Sequence, residues 1–220
     1  MKQKQPVMTL FIGTNGAGKS TLFYFLRHIG EPNLGVRICP DEILAAFKGN
    51  WKSNRDIAKS GTLTVSKIHE CIDNNLSFNW ETTTIGFLTL KFIAMAKEKG
   101  FKIHLNFIGV ENVDLALKRV HERVLNGGHG VPDEIVRLRH SHQFLNLDKI
   151  FPLIDTAMFY DNSECMEVVG TYNQQKLNIF KHHVSWVNEV QESFEKSKAT
   201  DKSPSVIDAR MNSDDNISGM

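Results

Sequence analysis

Eight consecutive residues, Gly13-Thr14-Asn15-Gly16-Ala17-Gly18-Lys19-Ser20, form a complete G-x-x-x-x-G-K-[ST] pattern, and no other feature limits the fold as tightly. Glycines let the backbone wrap a phosphate chain so that amide N–H groups converge on the anion. The helix that follows adds its positive end. On this reading Gly13, Thr14, Asn15, Gly16, Ala17, Gly18, Lys19, Ser20 and Thr21 bind a nucleotide. Lys19 supplies charge to the β- and γ-phosphates, and the Ser20 hydroxyl ligates Mg²⁺.

The motif requires a strand before it and a helix after it, and the flanking residues comply. Short runs rich in Val, Ile and Phe alternate with helix-patterned stretches, which predicts an α/β fold with a parallel sheet covered on both faces. Strands are expected at 7–12, 36–39, 77–81, 101–108 and 156–160, and helices at 19–28, 41–47, 53–75, 87–99, 112–126, 132–145 and 173–194. The last is drawn from Leu177, Phe180, Val184, Val187 and Phe194, whose three- and four-residue steps suit a helix lying on a core. The expectation is a three-layer, kinase-type phosphate-loop fold with a mostly parallel five-stranded sheet and a helical lid.

Length and composition decide the rest of the frame. At 220 residues the chain holds one domain with trimmings or two small ones. From 197 to 220 it loses its aromatics and any periodic apolar stripe. That predicts a kinase-like domain over 1–196 and a disordered tail over 197–220. Twenty-six Lys+Arg against 25 Asp+Glu leave a net charge of +1, which argues against a nucleic-acid partner. The apolar run 7–13 is too short for a signal sequence and nothing approaches 18 consecutive apolar residues, so no membrane partner is expected. Cys39, Cys71 and Cys165 are odd in number and widely spaced, which suits a reducing cytoplasm.

In open α/β sheets the ligand lies beyond the carboxyl ends of the strands, so polar residues there are candidates. Asp41, just after the second strand, is placed to take the proton from an attacking hydroxyl, although aspartate at a helix start also serves as a cap. Glu81 ends the third strand, expected beside the first, where a carboxylate holds a metal's water shell or the substrate; the alternative is an ordinary surface glutamate. Arg119 and Arg123 share a helix face, a glycine-rich segment 127–132 follows, and Arg137 and Arg139 lie beyond it. Helices joined by glycine hinges make good lids, and cations closing on the γ-phosphate supply much of the rate of phosphoryl transfer. Two arginines at i and i+4 also occur on solvated faces. The nine histidines show no metal-ligand spacing.

These residues resemble a known family. Gly13–Leu22 (GTNGAGKSTL), Cys39–Ile43 (CPDEI), Trp80–Thr83 (WETT) and above all Arg123–Arg139 (RVLNGGHGVPDEIVRLR) are similar to the zeta toxin family of phosphate-loop kinases, in its short stand-alone branch. The resemblance spans about residues 7–165 and implies ATP-dependent phosphorylation of a UDP-amino sugar such as UDP-N-acetylglucosamine. It implies Asp41 as base, Lys19 and Ser20 as nucleotide and Mg²⁺ residues, and Glu81 and Thr83 as substrate-binding. Arg123 with Arg137 or Arg139 would then be the lid cations, and an antitoxin protein a candidate partner. One departure stands out: the branch tends to read R-R-Y-x-R-S after the lid, where this chain has Arg139-His140-Ser141-His142-Gln143. Histidine lacks the fixed charge and bidentate fork of arginine, which points to altered lid or acceptor chemistry.

The expected function is therefore a small-molecule kinase using ATP and Mg²⁺. Two other readings keep the loop and change its use: a polynucleotide 5′-hydroxyl kinase, and a non-catalytic module that orders its lid around ATP to hold a protein.

Overall fold

The computed structural model describes residues 5–200. Five strands fall where the sequence predicts them, within a residue or two: β1 (Val7–Ile12), β2 (Val36–Ile38), β3 (Phe78–Thr82), β4 (Lys102–Gly109) and β5 (Thr156–Asp161). They pair in parallel, in the order β2-β3-β1-β4-β5. The sheet then continues through β6 (Glu167–Asn173) and β7 (Lys176–Ile179), both antiparallel, to make seven strands.

The hairpin β6–β7 replaces the first part of the helix expected over 173–194. Gln174 and Gln175 take φ values of +49° and +62°, the two-residue turn whose twist matches paired strands. Tyr172 faces Leu177 across it, and the Tyr172 hydroxyl donates to the Phe151 carbonyl. The helical part of that stretch is α8 (Val187–Thr200), which runs past the expected boundary at 196. The rest of the expected tail, 201–220, lies outside the described residues.

Side chains of β1 alternate between two apolar layers. Met8, Leu10 and Ile12 join a core under α3 (Asn54–Asp73), α4 (Phe87–Glu98), α7 (Leu147–Ile150) and α8. Phe11 joins the opposite layer with Leu22 and Phe23 of α1 (Lys19–His28), Leu117 and Val120 of α5 (Val113–Leu125) and Val136 of α6 (Asp133–Ser141). A strand buried on both faces is what covering helices demand of a parallel sheet, so the phosphate loop leaves a fully buried strand at the centre of the core. Local signals hold the helices in register: Ser53 accepts from the Asp56 amide to cap α3, and Asn112 accepts from the Asp114 amide to cap α5. The helix expected over 132–145 stops at Ser141, and Asn146, at φ +62°, turns the chain into the short α7. No helix among the described residues is long and apolar enough to cross a membrane.

Candidate functional site

The segment between β1 and α1 closes back on itself, with the Ala17 amide donating to the Thr14 carbonyl. Gly16 has φ +79°, and a Cβ there would lie 2.5 Å from the Ala116 carbonyl oxygen, so both conformation and space require glycine. Gly18, at φ +102°, is the N-cap of α1 and no side chain caps that helix. Its first amides are thus left for an anion. Lys19 is 6% exposed, and its ammonium donates to the Thr14 carbonyl at 3.0 Å while lying 4.0 Å from Glu81 Oε1. Burial pulls its pKa down, and the negative charges of Glu81 and Asp41 oppose that shift. The buried Thr14 hydroxyl has no partner among the described residues. A glycine cradle, an uncapped helix and an orphaned hydroxyl fit a bound phosphate chain.

Glu81 is buried at the carboxyl end of β3 and is the hub of the polar network below the loop. Ser20 Oγ donates to both its oxygens, at 3.0 and 3.1 Å, and Arg37 Nη2 lies 2.5 Å from Oε2. Arg37 comes from β2, donates to Asn79 Oδ1 at 3.1 Å and lies over the Phe23 ring at 3.9 Å. A hydroxyl and a carboxylate in contact beside a phosphate cradle suit a hard, oxygen-seeking divalent cation, completed by phosphate oxygens and water. Among the described residues no cluster of three or more His, Cys, Asp or Glu could hold a metal alone.

Asp41 is the second residue of α2 (Pro40–Ala46), past the N-cap position held by Cys39. Its carboxylate turns across the cleft to the lid, where His129 Nε2 lies 2.5 Å from Oδ2. Burial alone would raise the Asp41 pKa. The His129 contact, together with the charges of His129, Lys19 and Arg123, outweighs it and holds the carboxyl below its usual value. Cys39, beside it, is a different case: burial pushes its thiol up to about 12, so it stays protonated.

The arginines divide. Arg119 donates to the Asn162 and Ser163 carbonyls at 2.7 and 3.3 Å, and Arg139 donates to Asn15 Oδ1 at 2.9 Å. Arg123 donates through Nε to the His129 carbonyl at 2.8 Å, leaving its buried Nη2 unpartnered among the described residues. These three line one cleft of about 720 Å³ with Lys19, Ser20, Asp41, Glu81 and Thr83. Arg137 does not line it; its guanidinium pairs with Asp114 at 3.2 Å on the exposed side of the lid. The two arginines are two residues apart, which on a helix places them on opposite faces.

Four residues of this site lacked an assigned role in the sequence. His129 sits in the glycine-rich segment noted above, yet only its contact with Asp41 gives it one. Arg37 and Asn79 lie on neighbouring strands, a pairing that no local pattern announces. Asn162, just past β5, donates to the Ala17 carbonyl at 2.8 Å and so props the loop from outside. Below it, Trp186 donates to Asp161 Oδ1 at 2.8 Å and packs so tightly on Gly109 that a Cβ there would fall 2.5 Å from the indole.

Comparison with known proteins bears on the family and the fold. An uncharacterized protein of Haemophilus influenzae is 33% identical over 130 residues, covering 59% of this chain and 89% of its own. Among solved structures, the AvrRxo1-ORF1:AvrRxo1-ORF2 complex with sulphate ions superposes with a TM-score of 0.66 at 15% identity, covering 84% of this chain. This chain spans only 64% of that one's length. The same complex with ATP gives 0.61 at 16% identity, covering 92% of this chain and 66% of that one. The PezAT chromosomal toxin-antitoxin system of Streptococcus pneumoniae gives 0.58 at 15% identity, covering 92% of this chain and 90% of that one. At such identities these structures speak for the fold, whereas the zeta toxin family model matches residues 1–175 directly. The chain belongs to the zeta toxin family, with the α/β phosphate-loop kinase fold that its cradle and sheet order require.

Proposed function

We propose that this protein transfers the γ-phosphoryl group of ATP to a hydroxyl of a small molecule, a UDP-amino sugar such as UDP-N-acetylglucosamine. The observation that carries the reading is the convergence of Lys19, Asp41 and the unpartnered Arg123 Nη2 on one cleft at the mouth of the phosphate loop. The loop amides and Lys19 hold the β- and γ-phosphates. Ser20, with Glu81 behind it, would hold Mg²⁺, which would supply positive charge to those oxygens. Asp41 accepts the proton of the acceptor hydroxyl as its oxygen bonds to phosphorus and the bond to the leaving ADP oxygen breaks. Arg119, Arg123 and Arg139 face the charge that develops. Thr83, beyond Glu81, belongs to the acceptor side. The acceptor class and an antitoxin partner are both proposed on the ground of the family resemblance.

Purified protein with ATP, Mg²⁺ and a panel of nucleotide-sugars, followed by phosphorus NMR, tests the proposal. A new phosphomonoester signal on one sugar, absent with Asp41→Asn, is the expected result. ATP bound with no product from any hydroxyl acceptor, and no effect of Asp41→Asn on turnover, would sink it.

A further inference from the structure

The lid segment 127–130 reaches α2 through a polar contact of unusual placement. His129 Nε2 lies 2.5 Å from Asp41 Oδ2, a close electrostatic contact outside hydrogen-bond geometry, and has no hydrogen-bond partner among the described residues. A nitrogen lone pair so close to a carboxylate would be repelled, so the protonated edge of the imidazole faces Asp41 and can donate to it after a small rotation of either side chain. The carboxylate is thereby held through Oδ2, which leaves Oδ1 for an acceptor hydroxyl. The main chain of the same residue is also engaged, since the His129 carbonyl accepts from Arg123 Nε at 2.8 Å. One residue thus touches both the carboxylate and the arginine whose buried Nη2 has no partner among the described residues. The groups facing Asp41 are His129 and Arg123 from the lid side, Lys19 from the loop, and Arg139, whose charge interacts with it from α6.

We infer that His129 is a positioning residue that aligns Asp41 and couples it to Arg123, so that the base is in register only when the lid arginine is in place. The inference rests on the reading of Asp41 as base. No proton leaves through His129: the acceptor's proton goes to Asp41 Oδ1, and the imidazole keeps its own. A misaligned base slows the chemical step and leaves ATP binding to the loop untouched. His129→Gln can present an amide N–H close to where Nε2 lies, whereas His129→Ala presents nothing.

The experiment compares wild type, His129→Ala, His129→Gln and Asp41→Asn with ATP, Mg²⁺ and UDP-N-acetylglucosamine. In parallel, the Asp41 carboxyl of wild type, His129→Ala and His129→Gln is titrated by carbon-13 NMR without substrate. The expected results are a fall of kcat by about 10- to 100-fold in His129→Ala, recovery of most of it in His129→Gln, and an unchanged KM for ATP. The carboxyl midpoint of Asp41 moves up in His129→Ala, and the acid limb of the rate profile moves with it. A well-folded His129→Ala with the wild-type rate and the wild-type Asp41 midpoint overturns the inference. So does a His129→Gln as slow as His129→Ala with its Asp41 midpoint unmoved from wild type. Turnover surviving in Asp41→Asn refutes the underlying reading of the base instead. If UDP-N-acetylglucosamine is not phosphorylated, the titration alone decides.

Discussion

Ser20 and Glu81, 61 residues apart in sequence, are in hydrogen-bond contact through both oxygens of the carboxylate. The register of β1 against β3 imposes this, because Phe11 pairs with Glu81 and delivers it to the loop that begins two residues later. The Ser20 hydroxyl, proposed above to hold Mg²⁺, therefore meets a carboxylate that the sheet positions and not the lid.

Substitution Glu81→Gln separates that network's two roles. It removes the charge that faces Arg37, whose guanidinium is 13% exposed and retains only Glu42 as an anionic partner. Breaking a pair this buried costs about 3 kcal/mol, visible as a lower midpoint in urea unfolding. Turnover falls by about 100-fold through loss of metal positioning, while ATP binding measured without Mg²⁺ stays near wild type.

Arg139→Ala and Arg137→Ala give opposite outcomes. Arg139 faces the cleft beside Asn15, so its loss lowers kcat by about 100-fold. Arg137 faces solvent and Asp114, and an exposed pair is worth less than about 1 kcal/mol, so the Arg137→Ala rate stays within a few-fold of wild type. Steady-state assays of the two single variants decide the matter.

Lys19→Ala removes the loop's one ammonium from a buried site, where its charge acts in a low dielectric. Turnover drops by about 1,000-fold. The protein itself unfolds no more easily, because desolvating Lys19 already opposes folding. A thermal melt without nucleotide, compared with one at saturating ATP, shows the wild type alone gaining a large shift.

Acid behaviour follows from Asp41. Its folded pKa lies below the ordinary 3.8, so its ionised form contributes stability that is present above that value and lost as pH falls through the lower folded one. The acid limb of kcat/KM should accordingly lie beneath the usual carboxylate range, and the stability gap between wild type and Asp41→Asn should close below about pH 4. Rate profiles and acid unfolding curves measure both.

Much of this is legible in the sequence. The loop and the positions of Asp41 and Glu81 at strand ends follow from spacing, whereas the placement of β3 beside β1 follows from the strand order usual in small-molecule kinases with this loop. The hairpin β6–β7 was hidden because Gln174-Gln175 is not a glycine or asparagine turn, and because Leu177, Phe180 and Val184 mimic a helical stripe. Arg37 was invisible for a different reason: its partners Asn79 and Glu81 lie more than 40 residues away, and only strand pairing joins them. Between Arg137 and Arg139 spacing alone offers no choice, since packing of the helix decides which face meets the cleft.

Trp186 lies beyond residue 175, where the match to the family ends, yet it buttresses the Asp161 turn and, through Asn162, the phosphate loop. Docking of the C-terminal helix and affinity for nucleotide are then linked functions of one equilibrium. ATP should slow proteolysis near residue 186, and loosening that end of the chain should weaken ATP binding by the same factor.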